Sequence, residues 1–165
     1  MATARRKDKA RPRAKHALRK ASPPRRAVTP KATLKTATLR KQKFVASHLD
    51  ERDFKEGLRR YAKYRDLGIA AATGGLAQAH VIRLVPPCDP AEVSKRHYHD
   101  VEFQMIYVLK GWIKGEYEGA GVVTMREGSC WLQPPKIKHA VLDYSDDCEL
   151  LEVIIPADFE TVELA

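Results

Sequence analysis

His97-Tyr98-His99-Asp100-Val101-Glu102-Phe103-Gln104, answered further along by Pro134-Pro135-Lys136-Ile137-Lys138-His139, is the pair of stretches that decides how the chain reads. Side chains alternate across an extended strand, so His97 and His99 leave one face about 6.5 Å apart. A β-fold that returns His139 beside them brings three imidazoles toward one divalent ion.

Outward from these stretches, the sequence beyond Leu76 falls into strand-length pieces. They cover 77–85, 95–99, 103–110, 112–118, 122–125, 129–133, 138–144 and 148–155. Turn residues separate them: Pro86-Pro87, Gly111, Gly119-Ala120-Gly121, Arg126-Glu127-Gly128, Pro134-Pro135 and Ser145-Asp146-Asp147. Short strands at this spacing predict an all-β sandwich or barrel. Gly74-Gly75 and the glycines around Ala120 lack the strand, helix and lysine of a phosphate loop, and no internal repeat is present.

In this setting the two stretches resemble the paired motifs of the cupin superfamily. The first motif runs His-x-His, three or four residues, Glu, six residues, Gly, and His97, His99, Gln104 and Gly111 keep its spacing. The second runs Gly, five residues, Pro-x-Gly, two residues, His, three residues, Asn, and Gly128, Pro134, His139 and Asp143 occupy its places. Sixteen residues separate Gly111 from Gly128, a short gap similar to that of small single-domain bacterial members. The resemblance covers 78–156. It implies a double-stranded β-helix of jelly-roll type, with a metal site inside the barrel held by His97, His99, His139 and the residue at 104.

Three positions depart from the family pattern. Gln104 stands where a glutamate ligand is expected, Lys136 where there is a glycine, and Asp143 where there is an asparagine. Lys136 implies an altered turn. Gln104 implies a change of charge, because neutral imidazoles and a neutral amide leave a divalent site at about +2 and favour an anionic or enolate oxygen ligand. Glu102 is the rival source of negative charge. It shares a strand face with Gln104, but its spacing to His99 and Gly111 is off the motif, which suits a carboxylate at the rim. His80 reads as a hydrogen-bonded interior histidine rather than a fourth ligand. Of Cys130-Trp131-Leu132-Gln133, one alternating pair faces inward, with Cys130 as a candidate small core residue.

Charge divides the 165-residue chain in two. Residues 1–43 hold 16 of the 30 Lys and Arg, one acid (Asp8) and no aromatic residue, for a charge of +15. Residues 44–165 carry −6, so the high pI belongs to the tail. Such a tail cannot bury enough apolar area to offset chain entropy and is expected to be disordered. Its partner is either nucleic acid, bound through phosphates without sequence readout, or none; a transit peptide has a similar composition. Residues 44–75 read as a packing segment, with a helical turn through Arg59 and then an extended piece, and 76–165 as the barrel. Three widely spaced cysteines without a CxxC pair and the lack of an apolar run of membrane length point to a soluble cytoplasmic protein. Open sheet edges predict a homodimer.

Two functions follow from the resemblance. One is a mononuclear Fe(II)-type dioxygenase acting on a small organic acid, diketone or enol, with Mn, Ni or Zn satisfying the same ligands. The other is a non-enzymatic regulatory cupin that holds a metal or small ligand while the basic tail docks on nucleic acid.

Overall fold

The computed structural model describes residues 41–57 and 59–164. Turn residues set where its strands begin and end. Gly111 (φ 68°) reverses the chain in the left-handed conformation, and a Cβ there would lie 2.1 Å from Ser145 Oγ. No side chain fits that corner.

Among the described residues the strands are β1 (Lys55–Glu56), β2 (Ala62–Asp66), β3 (Gln78–Leu84), β4 (His97–Asp100), β5 (Phe103–Lys110), β6 (Trp112–Tyr117), β7 (Gly121–Arg126), β8 (Cys130–Leu132), β9 (His139–Tyr144), β10 (Glu149–Ile155) and β11 (Glu160–Glu163). They form two antiparallel sheets, ordered β1-β2-β3-β10-β5-β8 and β11-β4-β9-β6-β7. This is the jelly-roll barrel expected, and each expected strand forms. Helical structure is limited to a 3-10 turn at Glu51–Asp53, α1 (Ile69–Thr73) and α2 (Pro90–Val93).

Alternation along the strands builds the interior. In β5, Gln104, Ile106 and Val108 are buried while Phe103, Tyr107 and Leu109 are exposed. Ile113 and Tyr117 of β6, Met125 of β7 and Leu150 of β10 join the same core. Each large apolar side chain enclosed there contributes about 1.5–3 kcal/mol. Glu152 lies between Leu150 and Ile154 in β10, on the face that points inward.

Three local expectations change. The helical turn does not run to Arg59: it stops at Asp53, and Lys55–Glu56 pairs with Lys63 and Tyr64 as a hairpin. Gly57 makes that hairpin, since a Cβ there would meet the Tyr64 ring at 2.6 Å, and Phe54 stacks under the Arg83 guanidinium at 3.9 Å. Residues 44–75 thus supply two strands of the larger sheet. The turn at Lys136 is not altered either. Lys136 keeps the glycine-type backbone at φ 62°, where its N–H donates to the His99 carbonyl at 3.1 Å and its Nζ lies 3.2 Å from Asp100 Oδ2. A left-handed L-residue costs about 1–2 kcal/mol, which those contacts offset. Finally, β11 carries charges at both ends and so lacks a strand-like apolar pattern, yet it pairs with β4 along its whole length.

All three cysteines are free, with Cys130 exposed and Cys148 buried. Among the described residues no helix is long and apolar enough to cross a membrane. The partner expected of the basic tail concerns residues that lie, save 41–43, outside the described part.

Candidate metal centre

The smaller sheet carries the histidines. His97 and His99 share a face of β4, and the antiparallel register sets His97 directly opposite His139 of β9. The three rings lie 4.3 to 5.2 Å apart by centroid, and one nitrogen from each comes within 4.8 Å of the others. Nitrogens on one ion at about 2.1 Å stand roughly 3 to 3.5 Å apart, so the cluster needs only slight closure.

Hydrogen bonds decide which nitrogens face inward. The Nδ1–H of His97 donates to the Lys95 carbonyl and that of His139 to the Ile137 carbonyl, both at 2.9 Å. A carbonyl only accepts, so each ring carries its proton on Nδ1 and its lone pair on Nε2. His99 Nδ1 bonds the hydroxyl of Thr161, its register partner on β11, at 2.9 Å. Burial lowers the pKa of all three, to about 4 for His99 and His139. At neutral pH the site is three uncharged imidazoles, the form that takes a metal. Ring contacts fix their planes: Tyr117 stacks on His139 at 5.9 Å, and Phe159 meets His99 edge-on at 5.7 Å. The donor set fits a divalent ion.

The larger sheet answers with a chain of amides ending in a carboxylate. The Trp131 indole, a donor only, gives its N–H to Gln133 Oε1 at 3.1 Å. That orients the amide, whose Nε2 then donates to Gln104 Oε1 and to His139 Nε2, each at 3.1 Å. Gln104 in turn donates from Nε2 to Glu152 Oε1 at 2.6 Å, and His80 Nε2 lies 2.6 Å from Glu152 Oε2. One indole thereby fixes the polarity of the whole chain. Burial works against a charge on Glu152, but the His80 and Gln104 hydrogen bonds outweigh it and hold the pKa below the usual carboxylate range.

Gln104, the candidate fourth ligand, therefore has both amide atoms engaged, 2% exposed, beside the triad. Glu102 lies exposed in the turn before β5, where its backbone N–H bonds the Ile155 carbonyl at 2.7 Å, and it does not line the cavity. At β8 the inward pair is Trp131 and Gln133, while Cys130 and Leu132 face out. The histidines and the amide chain open on one interior cavity of about 320 Å³, walled largely by aromatic and aliphatic side chains such as Tyr61, Tyr64, Ile82 and Phe159. That is the lower end of the roughly 300–1,000 Å³ of small-molecule pockets. Arg59 also lines it, bonded through Nη1 to Glu163 of β11, with Nη2 buried and without a hydrogen-bond partner among the described residues.

Residues 88–154, which span β4 to most of β10, match the family profile described as the Cupin domain. The barrel is a cupin domain. Solved structures share the cupin architecture at low identity. KdgF from Halomonas sp. superposes with a TM-score of 0.52 at 16% identity, covering 67% of this chain and 94% of that one. The polyketide cyclase RemF from Streptomyces resistomycificus gives 0.56 at 16%, over 72% and 85%. Oxalate decarboxylase from Bacillus subtilis gives 0.55 at 18%, over 78% of this chain and 33% of that one. At these identities the likeness is one of fold. A search of curated proteins finds none that matches the sequence.

Sequence reasoning missed four of this cupin's cavity residues: Glu152, Gln133, Trp131 in its orienting role, and Arg59. Glu152 had a signal, a lone acid at an inward position of an otherwise apolar strand, Leu150-Leu151-Glu152-Val153-Ile154. Arg59 had none, because it reaches the cavity from a segment outside the motifs.

Proposed function

We propose that this cupin is a metal-dependent enzyme acting on a small organic acid, diketone or enol, with His97, His99 and His139 holding one divalent ion. The observation that carries the reading is the direction of the histidine hydrogen bonds: carbonyls take the Nδ1 protons of His97 and His139, which puts the neutral lone pairs of these buried rings on Nε2, in a cluster where one nitrogen from each histidine lies within 4.8 Å of the others. A bound ion supplies Lewis acidity to a ligand oxygen and, as Fe(II), reactivity toward O2. Fe(II) with a dioxygenase reaction is the most specific form of the reading, and Mn, Ni or Zn suit the same donors.

The chain's own residues do the remaining work. Glu152 places a negative charge one strand away from the position where a glutamate ligand was expected, and Gln104 relays its orientation to Gln133. Gln133 aims an N–H at His139 Nε2, so that amide must turn for the nitrogen to take an ion, and it then faces the cavity as a hydrogen-bond donor. The cavity, about 320 Å³ and largely apolar in its walls, limits the ligand to a small molecule. An oxalate decarboxylase built on this fold supports a small organic acid as the substrate class. The reading includes a homodimer, to which exposed Phe103, Tyr107 and Leu132 on the outer face of β5 and edge strand β8 lend support; a monomer by light scattering overturns that part.

Elemental analysis of the chain as purified, then anaerobic Fe(II) loading and O2 uptake with a panel of acids and diketones, tests the proposal. One equivalent of metal per chain is expected, with His97→Ala, His99→Ala and His139→Ala each reducing uptake by about tenfold or more. A chain that takes up none of Fe, Mn, Ni or Zn sinks the metal site. A loaded chain that transforms no panel member sinks the enzyme and leaves the regulatory, metal-holding cupin.

A further inference from the structure

Among the described residues Arg59 is the Lys or Arg side chain that lines the cavity, and its guanidinium is only partly used. Its side chain is 12% exposed. Nη1 donates to Glu163, the residue set opposite His97 in the β11–β4 register. Nη2 is buried and carries no hydrogen bond among the described residues. Two N–H donors on a charged group are thus enclosed without an acceptor, in a region where polar groups are ordinarily paired. The same residue lines an outer recess with Glu92, Lys95 and Glu163, which sets it at the boundary between cavity and surface. Its charge acts on all three imidazoles, disfavouring their protonation.

We propose that Arg59 is the carboxylate anchor of the cavity, so that the ligand is a small organic carboxylate whose acid group sits on Arg59 Nη2 and whose remaining oxygen function extends toward His97, His99 and His139. The inference rests on the metal-site reading for the far end of the ligand and on Arg59 alone for the near end. Chemistry favours an acid over a neutral diketone, because an enclosed guanidinium edge makes its strongest hydrogen bonds with a carboxylate. Glu163 already acts as such a partner from the solvent side, with its side chain 57% exposed. It draws on the same positive charge through Nη1 and so competes with an acid for the guanidinium. An acid bonds Nη2 once that buried edge of the guanidinium turns toward the cavity that Arg59 lines, while the Tyr61 and Phe159 walls accept its apolar part.

The test titrates 2-oxobutanoate and its methyl ester, which differ in the charge of one group, into the full Mn(II)-loaded chain by calorimetry. The wild type binds the acid more tightly than the ester. Arg59→Gln weakens the acid by about tenfold to a hundredfold, the usual worth of a charge-assisted hydrogen bond, and moves the ester by less than about twofold. Arg59→Lys recovers part of the loss. Glu163→Gln, which removes the competing carboxylate, tightens the acid, an effect opposite in sign to that of a merely structural pair. Equal losses for acid and ester, no loss in Arg59→Gln, weakening in Glu163→Gln, or a wild type that binds the acid no better than the ester each overturn the assignment. Metal content measured in parallel separates the two readings. Wild-type metal content without acid discrimination sinks Arg59 and spares the triad, whereas no metal uptake sinks the triad, and the same acid and ester comparison on the metal-free chain then decides Arg59.

Discussion

The two sheets meet at the cavity with different chemistry. The smaller sheet presents three neutral imidazoles on β4 and β9, braced from behind by carbonyls and a threonine hydroxyl. The larger sheet presents β3, β5 and β10 with a buried carboxylate and the amides that satisfy it. One side clusters three imidazoles whose nitrogens could hold a metal ion. The other is largely closed on itself, and its one bond across to the histidines runs from Gln133 to His139 Nε2. The difference separates the half proposed to bind metal from a supporting half, and it places the buried carboxylate, Glu152, on the supporting half.

The sharpest way to break that division is to remove the charge. Glu152→Ala strands His80 and Gln104 without their shared acceptor, and each buried polar group left unpaired costs about 1–3 kcal/mol. For a chain of this size that lowers Tm by roughly 10 °C. His99→Ala in the metal-free chain removes a neutral ring and one bond to Thr161, so it costs far less in stability while abolishing metal uptake. Thermal denaturation and elemental analysis of both variants should therefore give opposite rankings. If Glu152→Ala is as stable as wild type, the larger sheet is not the supporting half.

How much of this was legible beforehand follows the same line. The histidine half was readable because strand alternation and two spaced motifs name every one of its residues: His97 and His99 share a face, and Gly111, Gly128 and Pro134 punctuate the strands that return His139. The supporting half was only half readable. Gln104 showed that a charge was missing from its expected place, but where the charge went depends on a cross-strand register, Ile154 opposite Gln104 and Glu152 opposite His80, which no local pattern encodes. Lys136 failed for a related reason. A left-handed lysine is disfavoured in isolation, and the contacts that make it acceptable, to His99 and Asp100, come from another strand. The strand character of β11 is induced by the sheet it joins, and Arg59 lies in the connection between β1 and β2, which no motif marks.

A pH titration sharpens the comparison from the histidine side. Imidazoles in the unfolded chain titrate near 6.5, whereas His99 and His139 in the folded chain titrate at about 4. Between those values the unfolded chain binds protons that the folded chain does not, so stability is complete above about pH 6.5 and falls as pH drops toward 4. The slope is about 1.4 kcal/mol per pH unit for each such group. Urea midpoints of the metal-free chain at pH 7 and pH 5 measure it, and a double variant, His99→Gln with His139→Gln, should flatten the profile. An unchanged slope in that variant would mean that the triad is not what titrates.

The smallest effect expected comes from Glu102, and it bears on where the charge lies. Glu102 and Gln104 are two residues apart, yet Gln104 is enclosed beside Glu152 while Glu102 is exposed and tied down by its backbone N–H rather than its carboxylate. Glu102→Gln keeps that N–H and changes only a solvated charge, so the unfolding free energy from urea titration should move by no more than about 0.5 kcal/mol and metal content not at all. A carboxylate that helped hold a cation would behave otherwise, since its neutralisation would weaken metal retention even with the fold intact. Dialysis against a weak chelator reads that difference directly. Faster metal loss from Glu102→Gln than from wild type would move the charge of the site back to the β4–β5 turn and away from Glu152.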